Sequence, residues 1–284
     1  MPHGVRLSCR AAGAADAARR IVLLHGFPEA AFVWDPLMRE LGPLARCVAP
    51  NLRGYEHSSA PSDVQAYRAK HLVQDIDALI VSMGGRVDVL VAHDWGGGVA
   101  WNLAALRPQR FGALVIVNSP HPGALLRELR HNPAQRAASS YMDELVEPGA
   151  ASVLAADDFA RLWSSFERSG PARWLNQDLR ARYRDVWSCG LDGALNYYRA
   201  SPLRPGSSDL QRVELPASVV QVGVPTTVVW GLRDHALLPG LLDGLDQWVT
   251  MLQVHRVSDA SHWIVHERPD LVRNAIVAAL GATR

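Results

Sequence analysis

The sequence predicts an α/β protein: a mostly parallel central sheet flanked by helices, with an inserted helical segment. Three observations predict it. Short β-branched runs alternate with stretches of helical spacing, the order that lays parallel strands side by side with crossover helices. Most of the runs are apolar at consecutive positions, as strands covered on both faces must be. A long middle stretch carries helical fragments and no strand signal. The 284 residues suffice for one large domain with an insertion.

In chain order, the strand runs fall at 5–9, 21–25, 47–50, 87–92, 114–118, 226–230 and 253–257. Between the third and fourth, residues 67–83 place Leu72, Ile76, Leu79, Ile80 and Met83 at helical spacing, and Gly84-Gly85 stops that helix. A second helix follows Gly98 and ends at Arg107-Pro108, because the residue before a proline is pushed out of the helical region. The last helix spans 270–280. In the middle, helical fragments at 158–168, 177–187 and 191–200 are separated by Pro148-Gly149, Gly170-Pro171 and Pro202. Pro205-Gly206-Ser207-Ser208 reads as the return linker. The expected organisation is a core piece at 1–123, a helical cap at 124–212 and a second core piece at 213–284.

Composition excludes several function classes. A net charge of +1, with 29 basic residues scattered over the chain, forms no basic face for nucleic acid or an anionic membrane. No run reaches the ~18 apolar residues of a membrane span, and the first residues, MPHGVRLSCR, carry no apolar signal core. Cys9, Cys47 and Cys189 are odd in number and far apart, which argues against a disulfide framework or a zinc site. A cytoplasmic protein with reduced thiols is expected. No phosphate loop or metal-ligand cluster is present, so neither cofactor nor metal is expected.

The chemistry begins at residues 89–101, VLVAHDWGGGVAW. An apolar run turns into a helix at Asp94, with small residues two before (Ala92) and two after (Gly96). A sharp strand-to-helix elbow needs those small neighbours to close, and it aims its middle side chain out over the sheet edge. The helix N-terminus behind Asp94 favours a negative charge, so this carboxylate should stay ionised. Taken alone, Asp94 reads more readily as a helix N-cap. The rest of the chain adds weight to the elbow. His25-Gly26-Phe27-Pro28 follows the strand run at 21–25, beside the elbow in such a sheet. The backbone N–H groups of Phe27 and Trp95 can then converge as an oxyanion hole. Asp234 follows one late strand run and His262 the next, giving nucleophile, acid and histidine in chain order. Asp259 is a rival acid, but it shares the histidine's own loop. His25 and His93 read as structural.

These segments resemble the α/β-hydrolases that use aspartate as nucleophile, and within them the soluble epoxide hydrolases. The resemblance covers nearly the whole chain. It rests on HGFPE at 25–29, NLRGYEHSS at 51–59, HDWGG at 93–97, GLRDHALLP at 231–239, SHW at 261–263, SYM at 140–142 and ALNYYR at 194–199. HDWGG alone is shared with haloalkane dehalogenases. What the resemblance implies is an α/β-hydrolase fold with Asp94, Asp234 and His262 as a catalytic triad. It also implies cap tyrosines Tyr141 and Tyr198 as proton donors, and a substrate site at Phe27, Pro28 and Trp95. Three departures stand out. Relatives have Asp-x-Arg-Gly-Tyr-Gly where this chain has Asn51 to Glu56. The N-terminus looks short by a strand. The cap after Tyr141 carries Asp143 and Glu144, more polar than usual.

A carboxylate suits an electrophilic saturated carbon, because it attacks without prior deprotonation and leaves an ester that water can cleave. An alkyl ether from serine would be a dead end. The expected substrate is a small apolar epoxide, with water, in a monomer or homodimer. Phenols, with an ordinary pKa near 10, match a nascent alkoxide. Tyr197 neighbours Tyr198, but the two diverge by about 100° on a helix, so only one faces the pocket. A haloalkane or haloacid dehalogenase is the first alternative. It needs a second halide donor beside Trp95, and Phe27 has none. A ligand receptor without turnover is the other. Of the tryptophans Trp34, Trp95, Trp101, Trp163, Trp174, Trp187 and Trp263, only Trp95 is expected at the pocket floor, the rest mostly in the core.

Overall fold

The computed structural model describes residues 1–283. Its centre is one sheet of seven strands in the order β1-β3-β2-β4-β5-β6-β7. The strands are β1 (Cys9–Ala12), β2 (Arg20–Leu24), β3 (Arg46–Pro50), β4 (Val87–His93), β5 (Phe111–Val117), β6 (Thr226–Gly231) and β7 (Leu252–Val257). All neighbours pair in parallel except β1 with β3. The strand runs read from the sequence match six strands to within a few residues. The first is displaced: residues 5–8 approach the 51–59 loop through single hydrogen bonds, and the ladder to β3 begins only at Cys9.

Alternate residues of each strand serve opposite faces, as the pleat requires. Ile21, Leu23, Val89, Val91 and Val115 join one core, and Val22, Leu24, Leu90, Leu114 and Ile116 the other. Helices α1 (Asp35–Leu41) and α12 (Pro269–Ala282) cover the first face; α2 (Ala69–Ser82), α3 (Trp95–Leu106) and α10 (Ala217–Val220) cover the second. Short α11 (Ile264–Glu267) leads into α12.

Between β5 and β6 the described residues form helices and no strand: α4 (Pro122–His131), α5 (Pro133–Ala138), α6 (Tyr141–Leu145), α7 (Ala150–Glu167), α8 (Gln177–Ser188) and α9 (Asp192–Ala200). Helix α7 is broken at Ala156–Phe159, where three successive residues take positive φ. The first core runs on into this segment through Phe166, Tyr183 and Trp187. Among the described residues no helix is long and apolar enough to cross a membrane.

Two contacts tie the 51–59 loop to both halves. Arg53 forms a bidentate ion pair with Asp75 of α2, at 2.7 Å for each bond, with both side chains buried. Gly54 lies so close to Gly193 of α9 that a Cβ on it would stand 2.7 Å from the Gly193 carbonyl carbon. The departure noted in this loop has a structural partner. Glu56 stands at φ 46 and meets the Asn51 side-chain amide, so a carboxylate still faces position 51.

Candidate active site

Every expected triad residue lies at the carboxyl edge of the sheet. Asp94 follows β4, Asp234 follows β6 and His262 follows β7. Asp94 stands at φ 49 and ψ −122, the strained elbow conformation, and α3 starts at Trp95 rather than after Gly98. Glycine is what lets the elbow close. A Cβ on Gly96 would lie 2.6 Å from the His25 carbonyl oxygen, and one on Gly26 would lie 2.3 Å from the Asp94 side chain. Ser119 donates its hydroxyl to the Asp94 carbonyl at 2.6 Å and fastens the turn to the end of β5.

The Asp94 carboxylate is 13% exposed. Its Oδ1 accepts from the Phe27 backbone N–H at 2.7 Å. Its Oδ2 faces His262 Nε2 at 3.7 Å. On the other side of the ring, Nδ1 of His262 meets Asp234 Oδ2 at 2.7 Å. Asp234 is buried and saturated: Oδ1 accepts from the Ala236 and Leu237 N–H groups at 2.8 and 2.9 Å, and Oδ2 also accepts from the Asn118 amide at 2.8 Å. Burial opposes its charge, but His262 and these donors outweigh burial and lower its pKa. Burial likewise opposes a charged His262, yet Asp234, Asp94 and Glu29 together raise its pKa to about 9. Asp259 pairs with Arg268 at 3.1 Å instead.

Two groups here have contacts that sequence reasoning did not foresee. Asn118 sits at positive φ (36°), accepts from the Gly231 N–H at 2.8 Å and aims its amide at Asp234. Only its position after β5 could have signalled it. The second is a buried cluster behind His262. Glu29 Oε1 accepts from the Tyr183 hydroxyl at 2.7 Å and lies 2.6 Å from His266 Nε2. Glu29 Oε2 stands 3.2 Å from His93 Nδ1 without a well-aligned hydrogen bond. His93 Nε2 in turn lies 3.0 Å from the His262 carbonyl oxygen. Burial would neutralise Glu29, but His266 and His93 hold its pKa well below the carboxylate range. His25 is structural: Nε2 accepts from the Leu52 N–H at 3.0 Å, and burial lowers its pKa to about 4.

A largely apolar cavity of about 260 Å³ reaches Asp94 and is lined by Trp95 and Tyr141 among others. Tyr198 does not line it. Its ring packs edge-on against Trp95 at 5.0 Å, Phe27 at 5.4 Å and Tyr141 at 6.2 Å. Burial raises the pKa of both tyrosines, reinforced by Asp94 at Tyr141 and by Tyr141 and then Asp94 at Tyr198, so each stays protonated. The Tyr197 ring borders the cavity, but its hydroxyl is taken by the Arg53 carbonyl at 2.9 Å. Phe27 and Pro28 also lie off the cavity lining: Phe27 offers its N–H to Asp94, and the Pro28 carbonyl accepts from the Trp187 indole. Of the seven tryptophans considered, Trp95 alone lines the cavity.

Comparison with known proteins agrees with this architecture. A family model described as alpha/beta hydrolase fold matches residues 19–269. The AB hydrolase superfamily protein YfhM of Bacillus subtilis is 34% identical, over 98% of this chain and 95% of its own. Epoxide hydrolase 4 of Mus musculus is 31% identical, over 92% of this chain and 72% of its own. Among solved structures, an epoxide hydrolase of Bacillus megaterium in complex with an inhibitor superposes with a TM-score of 0.89 at 31% identity, covering 98% of both chains.

Proposed function

The chain belongs to the α/β-hydrolase family, on its epoxide-hydrolase-like side, and from that premise we propose that it opens epoxides through a covalent ester on Asp94. One observation carries the reading: a carboxylate at the strand-to-helix elbow, held by the Phe27 N–H and faced by an imidazole that Asp234 orients, at the end of an apolar cavity. In this reading, residues 124–212 are a cap over core pieces 1–123 and 213–284.

Asp94 Oδ2 attacks one ring carbon; the carbon–oxygen bond to the ring oxygen breaks, and Tyr141, with Tyr198 beside it, protonates the leaving alkoxide. The product is a hydroxyalkyl ester. Water then attacks the Asp94 carboxyl carbon. His262 takes its proton, and the tetrahedral oxyanion rests on the N–H groups of Phe27 and Trp95, where one donor is worth about 10²–10³ in rate. The intermediate collapses, the departing diol oxygen takes the proton from His262, and the proton left on the Asp94 carboxyl returns to the tyrosinate, so the vicinal diol leaves with Asp94, His262 and the tyrosine all restored.

The charge of Asp94 couples the two halves. It is one cause of the raised pKa of Tyr141, Tyr198 and His262. Ester formation removes it. The tyrosines become stronger acids as the alkoxide forms, and His262 loses a reason to stay protonated as its turn as base arrives.

A single turnover in ¹⁸O-water tests the reading. Label should enter Asp94, with an unlabelled diol released first. Label in the first diol would mean that water attacks the epoxide directly.

A further inference from the structure

The cavity that reaches Asp94 has a largely apolar lining. Beside Asp94 and Tyr141 its wall includes Val99, Leu125, Leu203 and Leu215. Its volume of about 260 Å³ holds about nine water-sized groups at roughly 30 Å³ each.

Around Pro28 and around Trp263, the chain neighbour of His262, the interior is filled. Trp187 donates its indole N–H to the Pro28 carbonyl at 2.7 Å. Phe166 lies edge-on to Trp263, the neighbour of His262, at 4.5 Å and contacts Tyr183 at 4.9 Å. Trp163 closes on Trp187 at 4.4 Å. Phe166, Tyr183 and Trp187 are at most 2% exposed. A packed interior takes an added methyl only by displacing its neighbours.

We infer that this site takes terminal epoxides with one apolar substituent. Leu125, Leu203 and Leu215 bound the space for the substituent, and the aromatic block around Phe166 excludes a group on the second ring carbon. The inference rests on the epoxide-hydrolysis reading and adds the substrate class.

The test compares kcat/KM for styrene oxide and for its trans-β-methyl homologue, with 1,2-epoxypropane as a reaction control. Styrene oxide should be preferred by at least about tenfold, the lower end of what one methylene decides in a pocket. Equal values would overturn the substrate class and leave the reaction standing. No turnover of any of the three by folded protein would overturn the reaction itself, and the inference with it. Leu215→Trp should lower the styrene oxide to 1,2-epoxypropane ratio of kcat/KM at least tenfold. Both rates come from one preparation, so loss of folded protein cancels. An unchanged ratio would remove Leu215 from the substituent's path.

Discussion

His262 Nε2 stands 3.7 Å from Asp94 Oδ2, within ion-pair reach but too far for a hydrogen bond. The imidazole therefore leaves an electron pair of the Asp94 carboxylate free. It stands beside the carboxyl group where an ester would be hydrolysed, while Asp234 fixes its orientation from the other ring nitrogen.

That separation predicts two different defects. Asp94→Asn should end steady turnover. His262→Gln should still be alkylated but release product about 10²–10⁴ times more slowly, the usual worth of a general base. Intact-mass spectrometry of His262→Gln mixed with substrate should show an adduct equal to the substrate mass. Release at the wild-type rate would mean that another group activates the water.

The charges around His262 also set a pH dependence. Its pKa rises from 6.5 to about 9 in the folded chain, against the effect of burial, because of Asp234, Asp94 and Glu29. A raised pKa stabilises the fold fully below the unfolded value near 6.5, and that contribution fades as pH climbs through about 9. Urea denaturation at pH 6 and pH 10 should show the loss. In Asp94→Asn one of the three carboxylates is gone, so NMR titration of the His262 ring should give a lower pKa than in wild type. No change would mean that Asp94 and His262 are not coupled.

Much of this site was legible because an elbow leaves a local mark. Asp94 lies between small residues that the turn requires, and Asp234 and His262 follow strands whose apolar runs are plain. Asn118 left no such mark. Its role exists only because β5 lies between β4 and β6, which sets its amide against Asp234. Tyr183 and His266 are 83 residues apart and meet at Glu29 through tertiary packing alone. The first strand was misplaced because an edge strand is half exposed and carries no continuous apolar run.

Asn118→Ala should separate orientation from chemistry. It removes a donor from buried Asp234 and the acceptor of the Gly231 N–H. Unsatisfied buried groups cost about 1–3 kcal/mol each, so the melting temperature should fall. With Asp234 less firmly held, kcat should drop while the alkyl-enzyme still forms. A melting temperature and kcat both unchanged would show that the two backbone-held bonds to Asp234 suffice.

Gly26→Ala tests the closeness of the Gly26–Phe27 loop to Asp94. The added Cβ would lie 2.3 Å from both Cβ and Oδ1 of Asp94, and neither neighbour has a flexible end to move. The Phe27 N–H should be pushed from its 2.7 Å bond to Asp94. Losing one such donor costs about 10²–10³ in rate. The expectation is a loss of that size in ester hydrolysis, measured by stopped-flow. A loss under threefold would mean that the loop yields without cost.

The tyrosines should fail at the other end of the reaction. Tyr141 lines the cavity with Asp94, whereas Tyr198 is buried against Trp95 and Phe27. Tyr141→Phe should therefore slow alkylation more than Tyr198→Phe, because only Tyr141 of the two lines the substrate space. Without either phenol the alkoxide has no acid, so the double variant should form no adduct with substrate by intact mass. This is the opposite of His262→Gln, which should accumulate one. The two variants thus divide the reaction at the ester. An adduct in the double variant at the rate seen in His262→Gln would mean that some other donor, or water, protonates the leaving oxygen.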